Sequence, residues 1–191
     1  MSEHCAARPH GGTSPSAWVT RFAHLVAADA RVLDLACGNG RHARLFAARG
    51  CRVLAVDRDA QALALLAGTP GIETRCADLE AGGWPLPGER FDAIVVTNYL
   101  HRPLFAPLLA ALADDGVLIY ETFAQGNEAF GRPANPDHLL RGGELIDRVA
   151  GLAIVAFEQG VVTDDARSAV VQRIAAVGRS RIGAARLSGG T

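Results

Sequence analysis

Five residues carry the chemistry this chain discloses first: Asp34, Gly38, Gly40, Asp57 and Asp78. The glycines sit in the run Cys37-Gly38-Asn39-Gly40-Arg41, between a short apolar stretch and a helical one. Glycine at such a turn lets backbone N–H groups approach a ligand without a Cβ in the way, and a helix starts just beyond. Asp57, at the end of the next strand-like stretch, can accept the two hydroxyls of a ribose. Asp78 repeats that placement one strand later. Together these residues describe a nucleoside site.

Gly38-Asn39-Gly40-Arg41-His42-Ala43 also fits the dinucleotide fingerprint G-x-G-x-x-A, with Asp57 at nearly the right distance. Asp34 argues against that ligand, because it would bring a carboxylate inside the first strand close to a pyrophosphate. Little chain remains for a second substrate domain, and a closing pair of antiparallel strands is foreign to the dinucleotide pattern. An NAD(P)-binding oxidoreductase is kept as the competing reading.

The elements that must position these residues alternate. Residues 16–28 show helical spacing, with Trp18, Phe22, Leu25 and Val26 on one face. Residues 32–37 read as a strand, 41–49 as a helix closed by Gly50, and 52–56 as a strand. Asp59 caps a helix ending at Gly68, and 72–76 is a third strand. Residues 91–97 are the most apolar strand, 103–113 a helix, and 117–121 a fifth strand. Continuous apolar strands separated by helices predict a parallel sheet covered on both faces. The rhythm breaks at 122–141, a polar Gly/Pro/Asn-rich segment too long for an ordinary connection, which predicts a functional lid. Residues 143–150 read as a short helix, and 152–158 with 168–177 as an antiparallel pair. Residues 1–15 are expected to be a disordered arm, 16–177 a single domain and 178–191 a disordered tail.

Bulk properties narrow the function. The 191 residues are 49% hydrophobic with net charge −1, enough for one cored domain and without a basic stripe for a polyanion. All 19 basic residues are arginine, so Schiff-base and P-loop lysine chemistry is excluded. Cys5, Cys37, Cys51 and Cys76 form no closely spaced ligand pair, so no metal site is expected, and reduced thiols are. With no apolar run long enough for a leader or a membrane span, the expectation is a cytoplasmic protein without a membrane partner.

With Asp34-Leu35-Ala36-Cys37-Gly38-Asn39-Gly40 set against the motif acidic-x-G-x-G-x-G, the chain resembles the class I S-adenosylmethionine-dependent methyltransferases, Ala36 standing where the motif has its first glycine. Within them, CGNGR and the later Gly-Glu-Leu at 143–145 look like small-molecule enzymes of the tellurite-resistance and thiopurine type. The resemblance spans about residues 32–177. It implies an α/β, Rossmann-like three-layer sandwich whose seven-stranded, mostly parallel sheet has its last strand antiparallel. It also implies S-adenosylmethionine as cofactor and S-adenosylhomocysteine as product.

Carried onto this chain, Ala36, Gly38, Asn39 and Gly40 would cradle the methionine part and the ribose, and Asp34 would favour the cationic end. Asp57 would hold the ribose hydroxyls, with Arg58 beside the adenine. Asp78 would accept the adenine amino group while Leu79 packs on the ring. Thr97 and Asn98 would lie by the methyl group and Arg21 would meet the cofactor carboxylate. Tyr99, His101 and Arg102 are the catalytic candidates, and His42 and His24 are read as partly exposed helix residues. Phe123, Phe130, Arg132, Asn135 and His138 of the lid suit a small, partly polar acceptor. The tellurite-type enzymes carry a His-Arg pair near their C-terminal hairpin, where this chain has Val161-Val162-Thr163-Asp164. A nucleic-acid acceptor is disfavoured by charge. A tRNA or protein acceptor, or a non-catalytic cofactor-binding protein, is the alternative, and either a monomer or a homodimer is compatible with the sequence.

Overall fold

The computed structural model describes residues 13–164 and 167–187. Strands β1 (Arg31–Leu35), β2 (Arg52–Asp57), β3 (Ile72–Cys76), β4 (Phe91–Thr97), β5 (Leu112–Phe123), β6 (Ala153–Asp164) and β7 (Arg167–Val177) form one sheet in the order β3-β2-β1-β4-β5-β7-β6. The first five are parallel, and β7 runs antiparallel to both β5 and β6. This is the architecture the resemblance implies.

Strand periodicity divides the core in two, because successive side chains point to opposite faces. Leu33, Leu35, Val56, Ile94 and Val96 pack towards α4 (Phe105–Ala111) and α5 (Glu144–Arg148). Val32, Val53, Ala55 and Val95 pack towards α1 (Ala17–Phe22), α2 (Arg41–Ala48) and α3 (Ala60–Ala64). The sheet is buried between two helical layers. Ser16 and Asp59 cap α1 and α3, each side chain accepting two backbone N–H groups. Trp18 and Phe22 are fully buried and meet edge to face at 4.5 Å. Cys37 and Cys51 are buried free thiols, and Cys76 is exposed. No helix among the described residues is long and apolar enough to cross a membrane.

Three expectations need correction. The helix expected over 103–113 is a 3-10 turn at Arg102–Leu104 followed by α4, since Pro103 and Pro107 leave no room for an unbroken helical ladder. The first strand of the terminal hairpin runs beyond the expected 152–158 as far as Asp164, because β-branched Val161, Val162 and Thr163 continue the pairing opposite Val170, Ala169 and Ser168. The tail is ordered as far as residue 187. Gly178 donates to the Gly116 carbonyl at 3.0 Å, and Arg181 donates to the carbonyls of Asp115 and Leu25 at 3.0 and 2.7 Å. Such backbone anchoring by arginine leaves little hydropathy signal. Residues 1–12 of the expected arm and 188–191 of the tail lie outside the described residues.

Candidate active site

The crossover from β1 leads to β2 on one side of the sheet, while β4 leads to β5 on the other, so a crevice opens beyond the carboxyl ends of β1 and β4. A cavity of about 410 Å³ lies there. Its floor is made by Ala36 after β1, Asp57 and Arg58 after β2, and Asp78 and Leu79 after β3. Asn98 and Tyr99 follow β4, Thr122 and Phe123 end β5, and Arg132, Pro133 and His138 come from the 122–141 segment.

The glycine turn is shaped by left-handed backbone. Ala36, Gly38 and Gly40 have φ of 54°, 54° and 72°, so Ala36 adopts the conformation for which the motif uses glycine, at a cost of about 1 kcal/mol. A Cβ at Gly38 would meet nothing within 4 Å, which leaves the turn open on its ligand side. A Cβ at Gly40 would collide with the side chain of Leu66, whose Cγ lies at 2.9 Å and which is fully buried. Gly40→Ala is therefore expected to cost about 3 kcal/mol and to lower Tm by about 6–12 °C in a calorimetric scan. A loss under 1 °C would contradict this packing.

Asp57 accepts the N–H of Gly38 at 2.8 Å on one carboxylate oxygen and the N–H of Asp59 at 2.9 Å on the other. These bonds fix the carboxylate against the turn and leave lone pairs facing the cavity. Asp78 is oriented in the same way by the Glu80 N–H at 2.9 Å. Glu80 lines the cavity too, a residue the sequence reading passed over. Its signal was present: it lies two residues beyond Asp78 in the same strand-end loop.

Tyr99 lies half-buried at the centre of this wall. Its hydroxyl oxygen is inaccessible and has no hydrogen-bond partner within the described structure. Burial and the neighbouring Glu80 carboxylate push the phenol well above its ordinary range, so it stays protonated as a donor.

Several expected site residues are engaged elsewhere. Asp34 is buried beneath the turn and accepts the Ala43 N–H of α2 at 2.8 Å; burial raises its carboxyl to about 7, against the pull of that bond. It supports α2 and does not line the cavity. Gly38, Asn39 and Gly40 contribute backbone around the turn, but none lines the cavity wall itself. Thr97 is buried, its hydroxyl 3.4 Å from His42 Nδ1.

His42, expected to be partly exposed, is only 1% accessible. Its Nε2 accepts the Ser16 N–H at 3.1 Å, which puts the ring proton on Nδ1. Burial, helped by Arg41, lowers it to about 3. The helical pattern did not flag it because histidine is polar, yet it faces the apolar layer. Arg21 is ion-paired with Glu158 at 2.9 Å and stacked over Trp18 and Phe22, away from the cavity.

His101 and Arg102 do not line the cavity either. Arg102 grips buried Glu144 with two bonds of 2.9 Å and also donates to the carbonyls of Asp137 and Leu139 at 2.7 and 2.8 Å. Its guanidinium holds the 122–141 segment to α5, so it is a positioning residue. That segment is further pinned by the Ala124–Leu140 bridge and by buried Asn127, which donates to the Pro133 carbonyl at 3.0 Å and accepts the Val170 N–H at 3.2 Å. The expected lid is thus an ordered cover with His138 and Arg132 over the cavity.

A sequence family described as a methyltransferase domain matches residues 32–116, which hold the glycine turn, Asp57, Asp78 and β4. No curated protein sequence matches the chain. Among solved structures, TehB from Haemophilus influenzae is 19% identical with a TM-score of 0.67, over 80% of this chain and 58% of that one. The chain thus spans a little over half of TehB. An S-adenosylmethionine dependent methyltransferase from Mesorhizobium loti is 20% identical with a TM-score of 0.68, over 87% of this chain and 100% of that one. The Burkholderia thailandensis 1,6-didemethyltoxoflavin-N1-methyltransferase, with its substrate and S-adenosylhomocysteine bound, is 23% identical with a TM-score of 0.62, over 84% and 76% of the two chains.

At these identities the structural likenesses establish the fold. The sheet order and the domain matched over residues 32–116 are what this chain has in common with S-adenosylmethionine-dependent methyltransferases of this fold.

Proposed function

We propose that this chain transfers a methyl group from S-adenosylmethionine to a small-molecule acceptor held beneath the 122–141 segment. The observation that carries this reading is one continuous cavity lined by Asp57, Asp78 and Leu79 from the strand ends and by Tyr99, Phe123 and His138 beside them. In this reading Asp57 binds the ribose hydroxyls. Arg58 flanks the adenine, Asp78 accepts its amino group and Leu79 packs on the ring. Asn98 and the turn from Ala36 to Gly40 receive the methionine end. The open space at Gly38 and the unpartnered Tyr99 hydroxyl fit a bound nucleoside with an acceptor beside it.

When bound, the cofactor supplies a methyl group made electrophilic by its sulfonium. The residues contribute alignment and exclusion of water, effects worth several kcal/mol and about 7–11 at the extreme. Glu80, exposed on the cavity wall, orients the acceptor N–H or O–H group. A small molecule is favoured over a polyanion because the cavity carries Asp57, Asp78 and Glu80 and the chain is net −1.

Calorimetric titration with S-adenosylhomocysteine and with NADH tests the cofactor assignment. Saturable binding of the first and none of the second is expected. Preference for NADH would replace this reading with the oxidoreductase. Transfer of labelled methyl to members of a panel of small thiols, amines, phenols and acids is the expected companion result.

A further inference from the structure

Most arginines near this site are tied to the protein, Arg102 and Arg148 to Glu144, Arg173 to Glu121 and Glu158, and Arg21 to Glu158, while Arg58, which lines the cavity beside Asp57, is given to the nucleoside in the reading above. Arg132 is the exception on the covering segment. Its side chain lines the cavity and makes no hydrogen bond or ion pair among the described residues, and the same holds for the His138 ring. A guanidinium facing a cavity without a counter-ion is suited to a planar, bidentate anion such as a carboxylate. The other polar residues of that wall are Asn98, Thr122 and Glu80. With Asp57 and Asp78 given to the nucleoside, Glu80 is the cavity carboxylate left to face an acceptor.

Resting on the methyltransferase reading above, we propose that the acceptor is a small acid, with its carboxylate taken by Arg132 beside His138 and its nucleophilic N–H or O–H group donating to Glu80. During transfer the lone pair of that nitrogen or oxygen forms the new bond to the methyl carbon. The carbon–sulfur bond breaks, its electron pair stays on sulfur, and the displaced proton passes to the Glu80 carboxylate, which opens to solvent.

The test uses the protein saturated with S-adenosylhomocysteine and a panel of small amino and hydroxy acids, including 2-aminobenzoate and salicylate, each paired with its primary amide. Binding is read by calorimetry or ligand-observed NMR, and methyl transfer with labelled cofactor. At least one acid is expected to bind and be methylated, with its amide 10-fold weaker or more. Arg132→Gln is expected to weaken that acid by about 10- to 100-fold, the range for losing a charge-assisted hydrogen bond, and to leave S-adenosylhomocysteine within twofold of wild type.

If no acid binds better than its amide while S-adenosylhomocysteine still binds, the proposal falls and the cofactor reading stands. If Arg132→Gln weakens S-adenosylhomocysteine and spares the acid, the guanidinium serves the cofactor's own carboxylate and the proposal is likewise overturned. If wild type does not bind S-adenosylhomocysteine, the methyltransferase reading itself fails.

Discussion

Asp57→Ala is expected to weaken S-adenosylhomocysteine binding by roughly 100-fold, with Tm lowered by only a few degrees. Each hydrogen bond from a hydroxyl to a carboxylate contributes about 1.5–3 kcal/mol, and two ribose hydroxyls can reach the pair of oxygens. Asp57 is partly exposed, so water recovers part of the loss; about 3 kcal/mol remains, which is two decades of affinity. The variant also releases the N–H groups of Gly38 and Asp59, which the carboxylate now holds at 2.8 and 2.9 Å. Asp57→Asn retains an acceptor for one of them and should fall between wild type and alanine. A titration in which Asp57→Ala keeps its affinity within threefold would move the ribose away from β2.

Glu144→Gln is expected to lower stability as much as Gly40→Ala does. The carboxylate is 4% exposed and receives Arg102, Arg148 and the Arg141 N–H. Burial alone would raise its pKa; the donors outweigh it and bring it from the ordinary 4.5 down to about 2. A depressed carboxyl stabilises the fold above its unfolded value. That contribution is complete above pH 4.5 and is lost as the pH falls through about 2. The interval corresponds to about 3 kcal/mol, in line with the cost of breaking a buried pair whose arginines can partly rehydrate. Glu144→Gln should thus lower Tm at neutral pH by about 6–12 °C and flatten the acid limb between pH 4.5 and 2. Because Arg102 also holds the carbonyls of Asp137 and Leu139, the acceptor KM should rise while S-adenosylhomocysteine affinity stays constant. An unchanged acid limb would mean that Glu144 is not the buried counter-ion.

The sheet was legible because its strands are apolar runs punctuated by glycine or a carboxylate, and both signals are local. Asp57 and Asp78 could be placed at strand ends for the same reason, and the structure puts both on the cavity wall. Arg102 was misread. A loop arginine beside the site looks the same in sequence whether it faces a ligand or a buried glutamate 42 residues away. Asp34 is a similar case: its spacing to Gly38 locates it at the turn, but does not record that it accepts the Ala43 N–H. Glu80, Arg132 and His138 meet only because the 122–141 segment folds back, and no periodicity records that. Burial of His42 likewise depends on the docking of Ser16 from 26 residues earlier.

The two groups buried under the glycine turn, Asp34 and His42, have opposite proton balances. Asp34 titrates near 7 in the fold against 3.8 when free, so folding takes up a proton there between those values. His42 titrates near 3 against 6.5, so folding releases one over much the same range. From about pH 4 to 6.5 the uptake and the release offset each other, and the turn that presents the cofactor assembles without net proton exchange at its foundations. A mildly acidic medium therefore leaves this part of the fold in balance, although each group alone would make it pH-sensitive.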